Sequence, residues 1–275
     1  MGIYRKRLLS TLLSLSLIGG LISSCKTTDL RPEGYLYARN IEKAKQLLEE
    51  MGKAHQIENW NNLETYNIVF EGEFYGFWGK KSHSFKEQKI ELSLDFIPKS
   101  EDGQLLIRSG KEKGETWGIQ SGQTYFLDET RKAIIKENNN MKFYLPTYQY
   151  FIEFPNRIQE ATSIDYLGTK IINGIKSEGI IASWNTVAPQ KDLDQYLIWI
   201  DAKSKRIIKI EYTIRDKFKF VSSEAYFHDY KDYGGIILPS TMPVKSNLKK
   251  NGYISKVIIK EFNPNNKSSS ALRPL

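Results

Sequence analysis

The feature that most restricts the fold is a period of two. In QKIELSLDFIP, Ile90, Leu92, Leu94 and Phe96 alternate with Glu91, Ser93 and Asp95. Successive strand side chains point to opposite faces, so this segment has one dry face and one wet face. The pattern returns in DQYLIWIDAKSKRIIKIEYTIRD, the clearest hairpin of the chain. There Ile208, Ile210, Tyr212 and Ile214 alternate with Lys209, Glu211 and Thr213, opposite residues 196–200. Shorter runs, GQLLIRS, ETWGIQS, QTYFLD and RKAIIKE, follow the first segment with Gly-rich or charged turns between them, as in an antiparallel meander. SIDYLGTKIINGIKSEGIIASW reads as a hairpin turning at Asn173-Gly174, and GYISKVIIKEF as the last strand. ETYNIVFEGEFYGFW (64–78) reads as one long strand bent at Gly72 or Gly76. Aromatic residues make up 12% of the chain, and such side chains favour pleated, half-buried surfaces.

Two stretches depart from this period. ARNIEKAKQLLEEMGKAHQIENW places Ile41, Ala44, Leu47, Leu48, Met51 and Ala54 three and four apart, which predicts an amphipathic helix. His55 falls near its end and is expected at the surface. NNNMKFYLPTYQYFIEFPNRIQEAT (138–162) predicts one or two short helices, the second beginning near Pro146. It is too aromatic on all sides for a solvated helix, so it either plugs a sheet or lies against something apolar. The sum is α+β: a helix, five or six strands, a helical insertion and about five more strands.

The N-terminus carries a different signal. Arg5, Lys6 and Arg7 precede an apolar run from Leu8 to Ile22, fifteen residues long, short of the roughly 20 needed to span a bilayer core. This pattern describes a secretory signal peptide over 1–24. The chain holds one cysteine, Cys25, which can be a core residue, a nucleophile, an intermolecular bridge or a modification site. Ile22-Ser23-Ser24-Cys25 resembles the bacterial lipobox. That resemblance implies acylation of Cys25 after removal of the signal, and so a membrane partner reached through covalent lipid such as palmitate. KTTDLRPEG then reads as a polar tether, with residues 25–38 forming the lipidated N-terminus. Lys26 after the cysteine implies, by the same resemblance, the outer membrane facing the periplasm. Residues 39–263 are expected as a single domain, and NPNNKSSSALRPL as a tail disordered over 264–275.

The formal charge is +8 and falls to about +5 without the signal's three basic residues. No basic block with interleaved aromatics marks a nucleic-acid footprint. His55, His83 and His228 are scattered and lack metal-ligand spacing. GIQSG places its serine differently from a nucleophile elbow, GKEKG lacks the end of a phosphate loop, and DAKSKR lacks calcium-binding carboxylates. Asp229 and Asp232 read as solvated turn residues. The expectation is a protein that is not an enzyme, with no cofactor and no metal.

The order of elements, with WNNLETY from Trp60, YLGTKIINGIKSEG, YLIWIDAKSKRIIKIEY and FHDYKDYGGIILPSTM, resembles the lipoprotein-localisation carrier and receptor superfamily over most of residues 36–262. The resemblance implies an incomplete β-barrel of about eleven strands, with helices on a concave apolar face that binds acyl chains. Ile90, Leu92, Leu94, Phe96, Ile210, Tyr212 and Ile214 are the candidate residues of that face, and Phe143, Tyr148 and Phe151 those of a lid. Core packing alone also explains each of them. The family's carrier fastens its lid with an arginine on an early strand. Here no arginine lies between Asn40 and Arg108, so that role does not transfer. Two functions fit: an anchored binder of lipid or lipoprotein acyl chains in outer-membrane lipoprotein sorting, or an envelope adaptor that partners other proteins and fills its own sheet. An open cavity favours the first, a packed face the second.

Overall fold

The computed structural model describes residues 27–35 and 40–275; residues 1–24, expected as a signal peptide, and Cys25 lie outside the described residues. Six strands come first: β1 (Tyr66–Phe74), β2 (Lys89–Phe96), β3 (Gly103–Ile107), β4 (Thr116–Gln120), β5 (Gln123–Leu127) and β6 (Ala133–Ile135). Eight follow the helical insertion: β7 (Ser163–Ile172), β8 (Ile175–Ser183), β9 (Tyr196–Asp201), β10 (Ile207–Ile214), β11 (Phe218–Tyr226), β12 (His228–Asp232), β13 (Ile237–Ser246) and β14 (Ser255–Pro264). They form one antiparallel sheet in the order 6-5-4-3-2-1-14-13-11-10-9-8-7, with β12 beside β13. β6 and β7 end the path unpaired with each other, so the barrel is incomplete. The described residues hold fourteen strands where about eleven were expected. Most of the excess arises in the second half, where the segment around Gly234-Gly235 yields both β12 and β13.

The two halves are joined by β1 and β14, whose registers run from Tyr66↔Pro264 to Phe74↔Ser255. The Asn173-Gly174 hairpin forms as expected, with φ of 49° and 81° at the turn, values that Asn and Gly adopt at low cost. Residues 64–78 are not one strand. β1 stops at Phe74, and Gly76 at φ +67° turns the chain into helix α2 (Gly76–Lys81). On β2, Phe96 faces Gly103 of β3, where a Cβ would overlap the phenyl ring. Tyr125 covers Gly118, and Trp199 covers Gly179, in the same way. A bare glycine lets an aromatic partner lie flat across the neighbouring strand.

Helix α1 (Ile41–Ala54) is capped by Asn40, whose side chain accepts from the Lys43 N–H. Its predicted stripe is buried at Ala44, Leu47, Leu48 and Met51. The insertion is one helix, α3 (Asn139–Ile152), followed by a single turn, α4 (Phe154–Arg157). Pro146 lies inside α3 instead of starting a second helix. Its missing N–H costs one internal bond, and packing of α3 on the sheet holds the helix across that gap. The proline near a helix start is Pro155 of α4.

His55, expected at the surface, is buried at the end of α1. Its Nε2 accepts from the Ile207 N–H at 3.1 Å, and its ring meets Tyr230 edge-on. Burial lowers its pKa to about 3. The unfolded chain binds a proton near pH 6.5 that the native state refuses, so this contribution is whole above pH 6.5 and is lost as pH falls towards 3. Between pH 7 and pH 4.5 the loss is about 2–3 kcal/mol. Urea titrations at the two pH values check it: His55→Gln should flatten the dependence, whatever its effect on stability at pH 7.

Residues 264–275 and 27–35 are both ordered against the sheet. Residues 264–275 are not a disordered tail. Leu272 is fully buried in a 3₁₀ turn (Ser269–Leu272), Arg273 Nε bonds Asp102 at 2.7 Å, and Lys267 Nζ lies 2.8 Å from Asp95. Outward-facing Asp95, which alternation alone assigns to water, is therefore buried. Residues 27–35 are likewise no free tether. The Leu30 N–H donates to Gln195, Thr28 is bonded on both sides, and the Tyr35 hydroxyl donates to buried Asp165.

Candidate functional site

The inner face of the sheet gathers the sequence-predicted residues. Ile90, Leu92, Leu94, Phe96, Ile210 and Tyr212 belong to one apolar cluster, and half-buried Ile214 packs against it. The cluster also takes in Leu47 and Met51 of α1, Leu145 and Ile152 of α3, and Phe154 of α4. The helices thus sit on the concave side of the sheet. Among the lid candidates, Tyr148 meets Phe70 of β1 edge-on, with centroids 5.4 Å apart, and Phe151 meets Tyr212 of β10 at 4.7 Å. Phe143 stays outside the cluster, half-exposed at the edge of α3, with Lys217 Nζ 4.3 Å from its ring centroid. Cys25 is not among the described residues. The face is therefore packed by the protein's own helices.

A fastening that the sequence reading missed holds α3. Glu153, at its C-terminal cap, is fully buried. Its carboxylate accepts from the Tyr66 hydroxyl at 3.0 Å, Gln149 Nε2 at 2.7 Å, Arg157 Nε at 2.7 Å and the Lys99 N–H at 3.1 Å. Burial and the neighbouring carboxylate push the Tyr66 hydroxyl pKa well up. Gln149 Nε2 also donates to Ile97 O. These bonds tie the end of α3 to β1 and to the β2–β3 turn. The only available sequence signal was Glu153 and Arg157 at helical spacing, and that pattern does not distinguish a buried latch from a surface ion pair.

The middle of α3 is less well satisfied. The Tyr148 hydroxyl and Gln149 Oε1 are buried with no hydrogen-bond partner, and burial raises the Tyr148 pKa. Pro146 interrupts the backbone ladder in the same stretch. Unpaired buried polar atoms weaken an interface. At the other end of α3, the Asn138 side chain caps the Asn140 and Met141 N–H groups, and its own N–H reaches Thr124 Oγ1. The C-terminal end of the helix is thus firmly fixed and its proline-containing middle weakly so.

A groove of about 500 Å³ runs beside α1, lined by Lys45, Glu49, Asp165 and Asn185 together with Ile41 and Leu48. Its mixed lining differs from the apolar inner face. No group of three or more His, Cys, Asp or Glu among the described residues has the arrangement of a metal site. No described helix is long and apolar enough to cross a membrane.

No protein-family model matches the chain, and no curated protein matches it by sequence. Solved structures do match in fold. An outer membrane lipoprotein-sorting protein domain from Vibrio parahaemolyticus aligns with a TM-score of 0.53 at 12% identity, over 85% of this chain and 97% of its own. A LolA superfamily protein from Nitrosomonas europaea aligns with a TM-score of 0.53 at 9% identity, over 83% and 96%. A DUF1329 family protein from Desulfovibrio piger has the same score and identity, over 83% and 95%. The open sheet with helices across its inner face is thus a fold that this chain shares with that lipoprotein-sorting protein domain and that LolA superfamily protein.

Proposed function

We propose that this chain is a bacterial envelope lipoprotein, anchored through lipid on Cys25 to the outer membrane and facing the periplasm. In this reading residues 1–24 are removed, residues 25–38 carry the lipid, and the domain that follows takes up lipid or lipoprotein acyl chains without catalysis. The observation that carries the reading is the contact between α3 and the inner face. It is apolar and aromatic, fastened at Glu153, and weakened at Pro146 and beneath Tyr148. Swinging of the N-terminal part of α3, with release of the Asn138 N–H from Thr124, would uncover Phe70 and its cross-strand neighbour Leu92 as a surface for acyl chains, with Glu153 as the fixed end. The fold shared with lipoprotein-sorting domains supports the same reading.

A second reading also has an observation in its favour. The face is already filled by helix side chains, as in an adaptor that uses the fold as a scaffold for envelope protein partners. Native mass spectrometry separates the two. Residues 26–275, which include every described element, are expressed in a bacterial periplasm and purified without detergent. A stoichiometric adduct that organic extraction identifies as lipid, and that Leu92→Trp diminishes, is the expected result. An unliganded mass before and after incubation with envelope lipids favours the adaptor.

A further inference from the structure

The strand registers bring three separate loops to one end of the sheet. β1 ends at Phe74 beside Ser255, the first residue of β14, so α2 and the β13–β14 turn are neighbours. The Tyr75 N–H donates to Ile254 O at 2.8 Å, and Gly79 lies so close to that carbonyl that no side chain would fit. On the other side of the turn, Asn247 Nδ2 donates to Phe220 O at 2.9 Å. This joins the turn to the start of β11. The Thr28 N–H in turn donates to Lys219 O at 2.9 Å, and Arg215 Nη2 donates to Thr28 O at 2.7 Å. A continuous rim therefore runs from α2 through the β13–β14 turn and the start of β11 to the first described residues of the chain.

This rim exposes large aromatic side chains. Phe77 is 65% exposed, Phe218 50%, Phe220 44%, and Trp78 and Tyr253 39% each. Basic residues are interleaved with them: across residues 75–88, 216–220 and 247–256 there are eight lysines against two carboxylates, Glu87 and Asp216. Aromatic rings with a polar or amphipathic character favour the bilayer interface, and lysines beside them favour anionic headgroups. The covalent link to Cys25 adds a third argument. Cys25 is three residues from Thr28, so it lies within about 11 Å of the rim even if fully extended.

The geometry points to this rim as the surface that rests on the membrane, with Phe77, Trp78, Phe218 and Phe220 entering the interface and the lysines meeting anionic phospholipid headgroups. The placement of Cys25 rests on the acylation proposed above, whereas the aromatic and basic character of the rim does not. The domain thus docks directly on the bilayer, with its strands ending at the surface, instead of hanging clear on a long tether. Lipid anchor and rim then act together, since a short link makes the second contact intramolecular.

The test uses unacylated residues 26–275 and vesicles of phosphatidylethanolamine with phosphatidylglycerol. The protein is expected to float with these vesicles, to be released by added salt, and to bind vesicles lacking phosphatidylglycerol more weakly. Phe77→Ser/Trp78→Ser should reduce binding about tenfold or more. Lys249→Glu/Lys250→Glu should abolish the preference for anionic lipid. Both pairs are at the surface, and unchanged circular dichroism and melting temperature exclude misfolding. Failure to float, or flotation unaffected by both variants, overturns the proposal and leaves the rim to a protein partner. Palmitate labelling of the full chain, compared with Cys25→Ala, is read separately. Label without flotation removes the docking surface but keeps the anchor, whereas flotation without label keeps the surface and removes the anchor.

Discussion

Glu153→Ala is expected to lower the free energy of unfolding by about 3–5 kcal/mol, the range for removing one partner of a buried charged pair. The carboxylate is fully buried and accepts four hydrogen bonds, from Tyr66, Gln149, Arg157 and the Lys99 backbone. Its removal strands the Tyr66 hydroxyl and leaves Arg157, only 14% exposed, facing an apolar interior without a counter-charge. Glu153→Gln keeps the volume and some of the bonds, so its loss should be smaller. Urea denaturation gives both values, and a double-mutant cycle with Tyr66→Phe isolates the tie between α3 and the sheet. A loss below about 1 kcal/mol in Glu153→Ala would place the group on an ordinary surface and remove the fixed end of the proposed lid. Hydrogen exchange adds a functional reading: α3 amides should lose protection in Glu153→Gln before those of β1 and β2 do.

The second large effect is expected at Phe96, where Ala should cost about 3–5 kcal/mol. The phenyl ring is fully buried, lies across the bare backbone of Gly103, and meets Tyr66 at 5.7 Å. Truncation opens a hole that Gly103 cannot fill, and the neighbouring ring Tyr66 is held by Glu153. Collapse of the site is therefore restricted, which places the cost at the upper end. Denaturation midpoint and slope measure it. A loss as small as that of an exposed side chain would contradict the packing assigned to β2 and β3. The same variant is informative for lipid uptake. If the inner face receives acyl chains, Phe96→Ala enlarges the space available and should retain or increase any adduct, whereas Leu92→Trp should reduce it.

The two variants also separate rigid from movable parts of the inner face. Phe96, Tyr66 and Glu153 lie at the end where α3 is pinned. Phe70, Tyr148 and Pro146 lie where the helix carries unpaired polar atoms and a broken ladder. A lid needs both features: a fixed end that returns it to register, and a contact of low enough stability to open. The absence of an early-strand arginine therefore does not remove the fastening from this chain. Here a carboxylate on the helix side binds a tyrosine on β1 and a backbone N–H of the β2–β3 turn.

What the sequence determined by itself was local. The alternation of Ile90, Leu92, Leu94 and Phe96 set which face of β2 is apolar, because neighbouring side chains of a strand must point in opposite directions. The spacing from Ala44 to Met51 set the buried side of α1, and Asn173-Gly174 set a hairpin, because only certain residues take positive φ cheaply. The α+β class followed from the order of such elements, whereas the open sheet was implied only by the family resemblance. The tertiary structure decided whatever depends on residues distant in the chain. β1 pairs with β14 across nearly 200 positions, from Tyr66 to Pro264. The ordered tail covers Asp95, and Ile207 reaches back to His55. Alternation could not show that the wet face of β2 is covered, because the cover comes from residues 267–273. It could not show Glu153 as a latch, because a carboxylate on a helix looks the same in sequence whether water or Tyr66 faces it. Whether the concave face is open or filled was decided in the same way: it depends on how the summed volume of α1, α3 and α4 fits the curvature of the whole sheet, a quantity that no local pattern carries.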